Sequence, residues 1–416
     1  MSVDTLVASE DSPPLGLLDS HVEPFLRHLC ALGYTKGTVG KKQRIVASFA
    51  RWTRHQQIAV KELNESHAVA FSTRSRRRRR KASLALELAT LRPFLDHLRL
   101  QAGMPAPART VESSPSNELE HRYVDYLRSE RGLAENSISV YSPHIHHFLG
   151  ELFASSASVS ARRLDALTIQ NYLLDRIRDR SSEYSRLLSI ALRSFLRFLY
   201  LRGETTIDLS FSVPMVRRWS QATVPALLST EEVERILSAT DRATPAGRRD
   251  HAVLLLLARL GLRAGEVVAL ELGDIRWRTA EIVVRGKGRV IESLPLLSDI
   301  GKALSLYLRK DRGCSASRRV FLRTHAPRVG LTGPAAVGHI VRGAIARAGV
   351  RRRSRGAAHL FRHSLATRMI RNGASIAEIS EVLRHRSQDS TAIYAKVAFE
   401  ALRGVARPWP ATGGER

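Results

Sequence analysis

The segment "LRHRSQDSTAIYAKV", residues 383–397, sets His385 nine positions before Tyr394, between a basic run and a short apolar tail. Taken alone, a tyrosine inside "AIYAKV" is a packing residue. What decides its chemistry is the company it keeps upstream. The preceding "HLFRHSLATRMI" (359–370) places His359, Arg362 and His363 at spacings of three and four, which puts all three on one helical face. A histidine pair at i, i+4 can ligate zinc. Here the glutamate a zinc protease needs after the first histidine is Leu360, and Arg362 would set a cation beside the metal. The segment therefore predicts a polar helix face without a metal, and "PHIHH" (143–147), inside a helical pattern, argues for a metal even less.

Further upstream, β-branched residues alternate on either side of "RGKGR" (285–289), which predicts a hairpin with Gly286 and Gly288 in its turn and Lys287 at its tip. Before it, the apolar run "DHAVLLLLARLG" (250–261) reads as a buried helix, followed at once by Arg263 and, three residues later, Glu266. A guanidinium at the end of a buried helix needs an anion, because buried charge is costly unless paired. Glu266 could be that anion as a local ion pair, or Arg263 could wait for an anionic ligand. The start of this region is marked by "LLSTEEVERILSAT", where Ser229 and Glu232 have the spacing of a capping box.

Two stretches rich in Pro, Ser and small residues, 103–118 and 205–225, read as linkers and divide the chain into three. The first two parts resemble each other. "FLRHLCALGYTKGTVGKKQRIVASFARW" (25–52) runs beside "YVDYLRSERGLAENSISVYSPHIHHFLGEL" (123–152), pairing Gly33 with Gly132, Thr38 with Ser137 and Phe49 with Phe148 at a constant offset of 99. Phe94, Leu95 and Leu98 likewise match Phe195, Leu196 and Leu199, in the i, i+1, i+4 spacing of one helix face. The reading is two related helical units; the competing reading is the ordinary similarity of amphipathic helices. Inside the first unit, "RSRRRRRK" (74–81) is a phosphate-binding tether or, alternatively, a nuclear import signal.

With 66 Lys plus Arg against 39 Asp plus Glu, the chain carries a formal charge of +27. Such an excess attracts a polyanion, and nucleic acid leads over a merely solvated surface or anionic lipid. No apolar run approaches the roughly 20 residues of a membrane span, since "AVLLLLARLGL" is interrupted by Arg259. An acidic amino-terminal stretch, with only Cys30 and Cys314 available to pair, leads to the expectation of a soluble, cytoplasmic, nucleoid-associated protein.

Taken together and in order, "GLRAGE" (261–266), "RGKGR", "HLFRH" (359–363), "LRH" (383–385) and Tyr394 resemble the tyrosine recombinase family, the phage-type integrases. The middle unit resembles that family's helical core-binding domain, and the first looks like a second such domain or an accessory DNA-binding domain. The implied fold is mainly α with a small β-sheet: helical DNA-binding units at 1–110 and 117–204, an α+β catalytic domain at 222–405 and a tail at 406–416. The implied activity is site-specific DNA recombination through a 3′-phosphotyrosine, with no cofactor, metal or ATP. In that scheme Arg263 and Arg362 clamp the phosphate, Tyr394 attacks it, Lys287 protonates the leaving 5′-oxygen, His359 accepts the tyrosine proton, His385 donates a hydrogen bond to the phosphate, and Glu266 orients the site from behind. His363 reads as structural.

The resemblance further implies double-stranded DNA as partner, a homotetramer on DNA, and related recombinases or DNA-bending proteins as accessories. The apolar stripe Val397, Ala401, Leu402 and Val405 of the tail would pass to a neighbouring protomer or dock on its own domain. A type IB topoisomerase and a catalytically silent DNA-binding protein are the competing readings. One departure stands out. Arg384 occupies the position where the family usually has glycine, so a left-handed helix cap there is either lost or taken at a cost. Arg384 and Arg386 would also add cations within reach of DNA.

Overall fold

The structure is a computed structural model that describes residues 18–74, 81–102, 115–154, 164–215, 227–286, 290–351 and 357–384. Four helices form the first unit: α1 (Asp19–Ala31), α2 (Lys36–His55), α3 (Glu65–Thr73) and α4 (Lys81–Ala102). Thr35 and Asn64 cap α2 and α3 by accepting from backbone N–H groups of their first turns. The helices enclose a core that includes Phe25, Phe49, Phe71, Phe94 and Leu98.

The second unit repeats the plan with α5 (Pro115–Ser129), α6 (Glu135–Ala154), α7 (Ala166–Ile177) and α8 (Ser182–Leu201). Its core gathers Tyr123, Phe148, Phe195, Phe198 and Leu199. The paired positions behave alike. Phe49 and Phe148 are both buried, as are Phe94 and Phe195, while Gly33 and Gly132 both take positive φ, +81° and +58°. That conformation is open to glycine at little cost.

In the third part, α9 (Thr230–Ser238) starts on a capping box in which the Ser229 N–H donates to Glu232 Oε2 at 2.9 Å and the Glu232 N–H to Ser229 Oγ at 3.2 Å. Next, α10 (Pro245–Leu260) is apolar and buried throughout from Ala252 to Ala258 because it lies at the centre, packed on α12 (Ser298–Lys310) and α14 (Ala357–Arg371). A short α11 (Ala264–Ala269) leads to a three-stranded antiparallel sheet of β1 (Ile275–Arg276), β2 (Glu281–Arg285) and β3 (Ile291–Pro295), in register Ile282↔Leu294 and Val284↔Glu292. Strand β2 buries Ile282, Val283 and Val284, whereas no residue of β3 is buried. The Gly286 N–H donates to the Val290 carbonyl at 2.8 Å. Gly286 has no positive φ, and Gly288 lies outside the described residues. Helices α13 (Pro334–Arg347) and α15 (Ile376–Leu383) complete the domain.

By their contacts, residues 1–104 and 223–416 make one compact unit and residues 105–222 another. Within the larger unit the α1–α2 turn touches a loop of the third part. There the Arg328 N–H donates to the Leu32 carbonyl at 2.8 Å, and a Cβ added to Gly33 would come within 2.8 Å of Arg328 Cδ. A Cβ added to Gly132 would meet nothing within 4 Å among the described residues. Among the described residues no helix is long and apolar enough to cross a membrane.

Candidate active site

Helix α10 ends at Gly261, whose φ of +58° forms a left-handed cap. A side chain there would collide with Leu383 and Leu365, to which an added Cβ would stand 2.9 and 3.0 Å away. The close approach brings the middle of α14 and the end of α15 onto the end of α10, and the polar residues of the site hang on this junction.

Arg263 is the residue before α11. Its N–H donates to Glu266 Oε2 at 2.8 Å, its Nη1 to Glu266 Oε1 at 2.7 Å, and its Nη2 to the backbone carbonyl of Arg384 at 3.2 Å. The local ion pair thus forms, yet the Arg263 side chain stays 35 % exposed while Glu266 is 5 % exposed. An arginine oriented by a buried carboxylate and still reachable from solvent is prepared to offer paired donors to a phosphate.

Arg362 is placed differently. It is buried, and its guanidinium donates through Nη1 to the Gly261 carbonyl at 2.6 Å and through Nη2 to the Leu383 carbonyl. It therefore caps the C-termini of α10 and α15 together, supplying cationic donors where helix ends leave carbonyls unpaired. His359 stands on the same face of α14, and burial, then Arg362 and Arg263, hold its pKa below the ordinary histidine range. It is neutral at neutral pH and so able to accept a proton.

His363, whose ring centroid lies 6.2 Å from that of His359, is pushed down to about 4 by burial first, then by His359 and Arg362. This depression has a consequence for stability. Between the unfolded pKa near 6.5 and the folded value near 4, the unfolded chain binds a proton that the folded chain refuses. Stability should fall as pH drops through that window, by up to about 3 kcal/mol, and level off below it. Urea unfolding of His363→Gln across pH 4–7 should show a flatter profile than the native chain; an identical profile would remove His363 as the cause.

Arg384 closes the site from the other side. It adopts φ 55°, ψ 53°, so the left-handed cap is kept and its cost accepted, about 1–2 kcal/mol for a residue with a Cβ. Its side chain is 5 % exposed, with Nη2 donating to Glu266 Oε2 at 2.8 Å and Nε 3.5 Å from Glu292 Oε2. Burial draws its pKa below the usual guanidinium value, opposed by Glu266 and Glu292. The expectation that this cation faces DNA is therefore wrong for Arg384, because two carboxylates turn it inward; Arg386 lies outside the described residues. Glu292 was not picked out from the sequence. The alternation of β3 carried no sign that one of its charged residues would meet a side chain far along the chain.

The structure thus brings together Arg263, Glu266, His359 and Arg362. Lys287, His385 and Tyr394 lie outside the described residues, as does the tail with its apolar stripe, although His385 directly follows Arg384. Among the described residues no group of three or more His, Cys, Asp or Glu side chains is placed to hold a metal.

Residues 226–401 match the model of the phage integrase family, and residues 121–203 match the phage integrase N-terminal SAM-like domain. The Sinorhizobium fredii protein y4rA, of the integrase/recombinase class, is 40 % identical over 401 residues, covering 96 % of both chains. Tyrosine recombinase XerD of Listeria innocua is 29 % identical over 295 residues, 70 % of this chain and 97 % of that one. Among solved structures, the fold is shared with XerH site-specific recombinase bound to palindromic difH substrate, at a TM-score of 0.54 and 18 % identity over 82 % of this chain and 95 % of that one. It is shared also with a lambda integrase tetramer bound to a Holliday junction, at 0.53 and 16 % over 78 % and 89 %. The chain belongs to the phage integrase family of tyrosine recombinases and is a site-specific DNA recombinase.

Proposed function

We propose that this recombinase moves a mobile element by integration, excision or transposition, working as a homotetramer on double-stranded DNA in the cytoplasm, with Tyr394 as nucleophile. The observation that carries the residue assignment is the convergence of Arg263, His359 and Arg362 at the end of α10, with the backbone of residue 384 hydrogen-bonded to Arg263 immediately before His385. The lambda integrase tetramer on a Holliday junction, sharing the fold, supports the assembly. Likeness to y4rA over nearly the whole chain favours a recombinase over a topoisomerase.

In this reading Arg263 and Arg362 offset the charge that builds on the non-bridging oxygens as the phosphorus is attacked. The Tyr394 oxygen bonds to phosphorus, its proton passing to neutral His359, while His385 donates a hydrogen bond to the phosphate. The bond to the 5′-oxygen breaks, and Lys287 supplies the proton that oxygen takes up. The bond energy stays in the phosphotyrosine until the new 5′-hydroxyl reverses the step.

The acid can be tested alone. Lys287→Ala should cleave ordinary DNA about 10²–10³-fold more slowly, within the usual range for lost general-acid catalysis. Most of the rate should return on a 5′-phosphorothiolate, whose sulfur leaves without a proton. Equal defects on both substrates would take that role from Lys287.

A further inference from the structure

The hairpin of β2 and β3 is anchored in the core chiefly through β2, with Leu294 the one residue of β3 that packs, partly buried, against that core. Strand β3 has no buried residue, and beyond the Val284↔Glu292 pair it is held to β2 only by Arg285↔Ile291 and by the Gly286 N–H to Val290. Ile291 is 66 % exposed. The one charged contact that reaches β3 from elsewhere in the domain, among the described residues, comes from Arg384 to Glu292. The same guanidinium is bonded to Glu266, which holds Arg263. We propose that Arg384 is a positioning residue that ties strand β3, through Glu292, to the Arg263–Glu266 pair, so that the hairpin and the phosphate-binding arginine move as one body.

Three further observations bear on this. The left-handed backbone at residue 384 would suit glycine, yet an arginine is kept there and its side chain is almost wholly buried. Its charge is balanced locally: Arg263 and Arg384 face Glu266 and Glu292, two cations against two carboxylates. Finally, the Nε and Nη1 atoms of Arg384 are buried without a hydrogen-bond partner among the described residues, and Nε stands 3.5 Å from Glu292. A closing movement of about half an ångström would turn that ion pair into a hydrogen bond of ordinary length. Buried donors seldom go unused, so this contact has room to tighten. Lysine would not replace Arg384, since lysine offers a point charge where two carboxylates on different elements call for a fork.

The inference rests on Lys287 being the acid carried by this hairpin, and the experiment separates the two ideas. Arg384→Ala and Glu292→Gln are compared with Lys287→Ala on ordinary and 5′-phosphorothiolate suicide substrates. Glu292 is 37 % exposed, so its variant leaves the fold intact even if the Arg384 variant is weakened. Displacing a catalytic group by about an ångström typically costs about 10²-fold. Arg384→Ala should therefore slow ordinary cleavage between about 10- and 100-fold, Glu292→Gln somewhat less, and both should recover on the phosphorothiolate. A protein that was simply damaged would be equally slow on the two substrates. The double variant should be no slower than Arg384→Ala alone, since one contact is lost only once. If Lys287→Ala is rescued while the other two are not, the tether is wrong and the assignment of Lys287 stands. If Lys287→Ala is not rescued, that assignment fails, and the double variant decides the tether by itself: defects that multiply overturn it, and defects that do not add uphold it.

Discussion

Tyr394→Phe should form no covalent complex with DNA, with cleavage reduced by at least about 10⁴-fold, because removing a nucleophile disables the whole reaction and not one contribution to it. Binding should stay within about two-fold of native, because affinity for DNA rests on phosphate contacts made across a strongly basic chain of net charge +27. The two outcomes together identify the oxygen and not the ring as the working part. The measurement is a denaturing gel on a suicide substrate beside a binding titration at fixed salt. An adduct that persists in the variant would move the nucleophile to another residue.

Arg362→Ala should differ in kind, losing activity and stability at once. Its guanidinium is buried and donates to the carbonyls at the ends of α10 and α15, and both acceptors would be left without these partners. Each unsatisfied buried group costs about 1–3 kcal/mol, so the catalytic domain should lose roughly 2–4 kcal/mol. Cleavage should fall about 10³-fold or more as a donor to the transition state disappears. Arg263→Ala provides the contrast, because the Arg263 side chain is one-third exposed and Glu266 retains Arg384. That variant should match the catalytic loss while melting close to native. Calorimetry of the two variants side by side checks the distinction; equal melting temperatures would mean that Arg362 does not fasten the helices.

Much of this organisation could be read in the chain before any coordinates. Ser229 and Glu232 announced the start of α9, the apolar run to Leu260 announced α10, and Phe49, Phe94, Phe148 and Phe195 traced the same helix faces twice. Such features are local: a cap, a period, a spacing. His359, Arg362 and His363 shared a face for the same reason. What could not be read was the tertiary partner of each charge. Arg362 looked like a phosphate ligand and also proves to be a clasp on two helix ends, a role set by residues 101 positions before it and 21 after. Arg384 looked like a cation for DNA and is enclosed between Glu266 and Glu292, because the chain fold and not the neighbouring sequence chooses those partners.

The contact between the α1–α2 turn and the loop at Arg328 has a consequence for inheritance. Its hydrogen bond runs from one backbone to another, Arg328 N–H to Leu32 C=O, and the closest approach is over a residue with no side chain, Gly33. Such a junction spells almost nothing in amino-acid letters. Leu32 can drift freely without breaking the bond, since every residue carries that carbonyl. Gly132, its counterpart in the other bundle, keeps the same left-handed turn with open space beside it. Two descendants of this chain could therefore diverge across the whole surface of the first bundle and still join it to the catalytic domain in the same way, leaving a shared attachment that an alignment of their sequences would pass over.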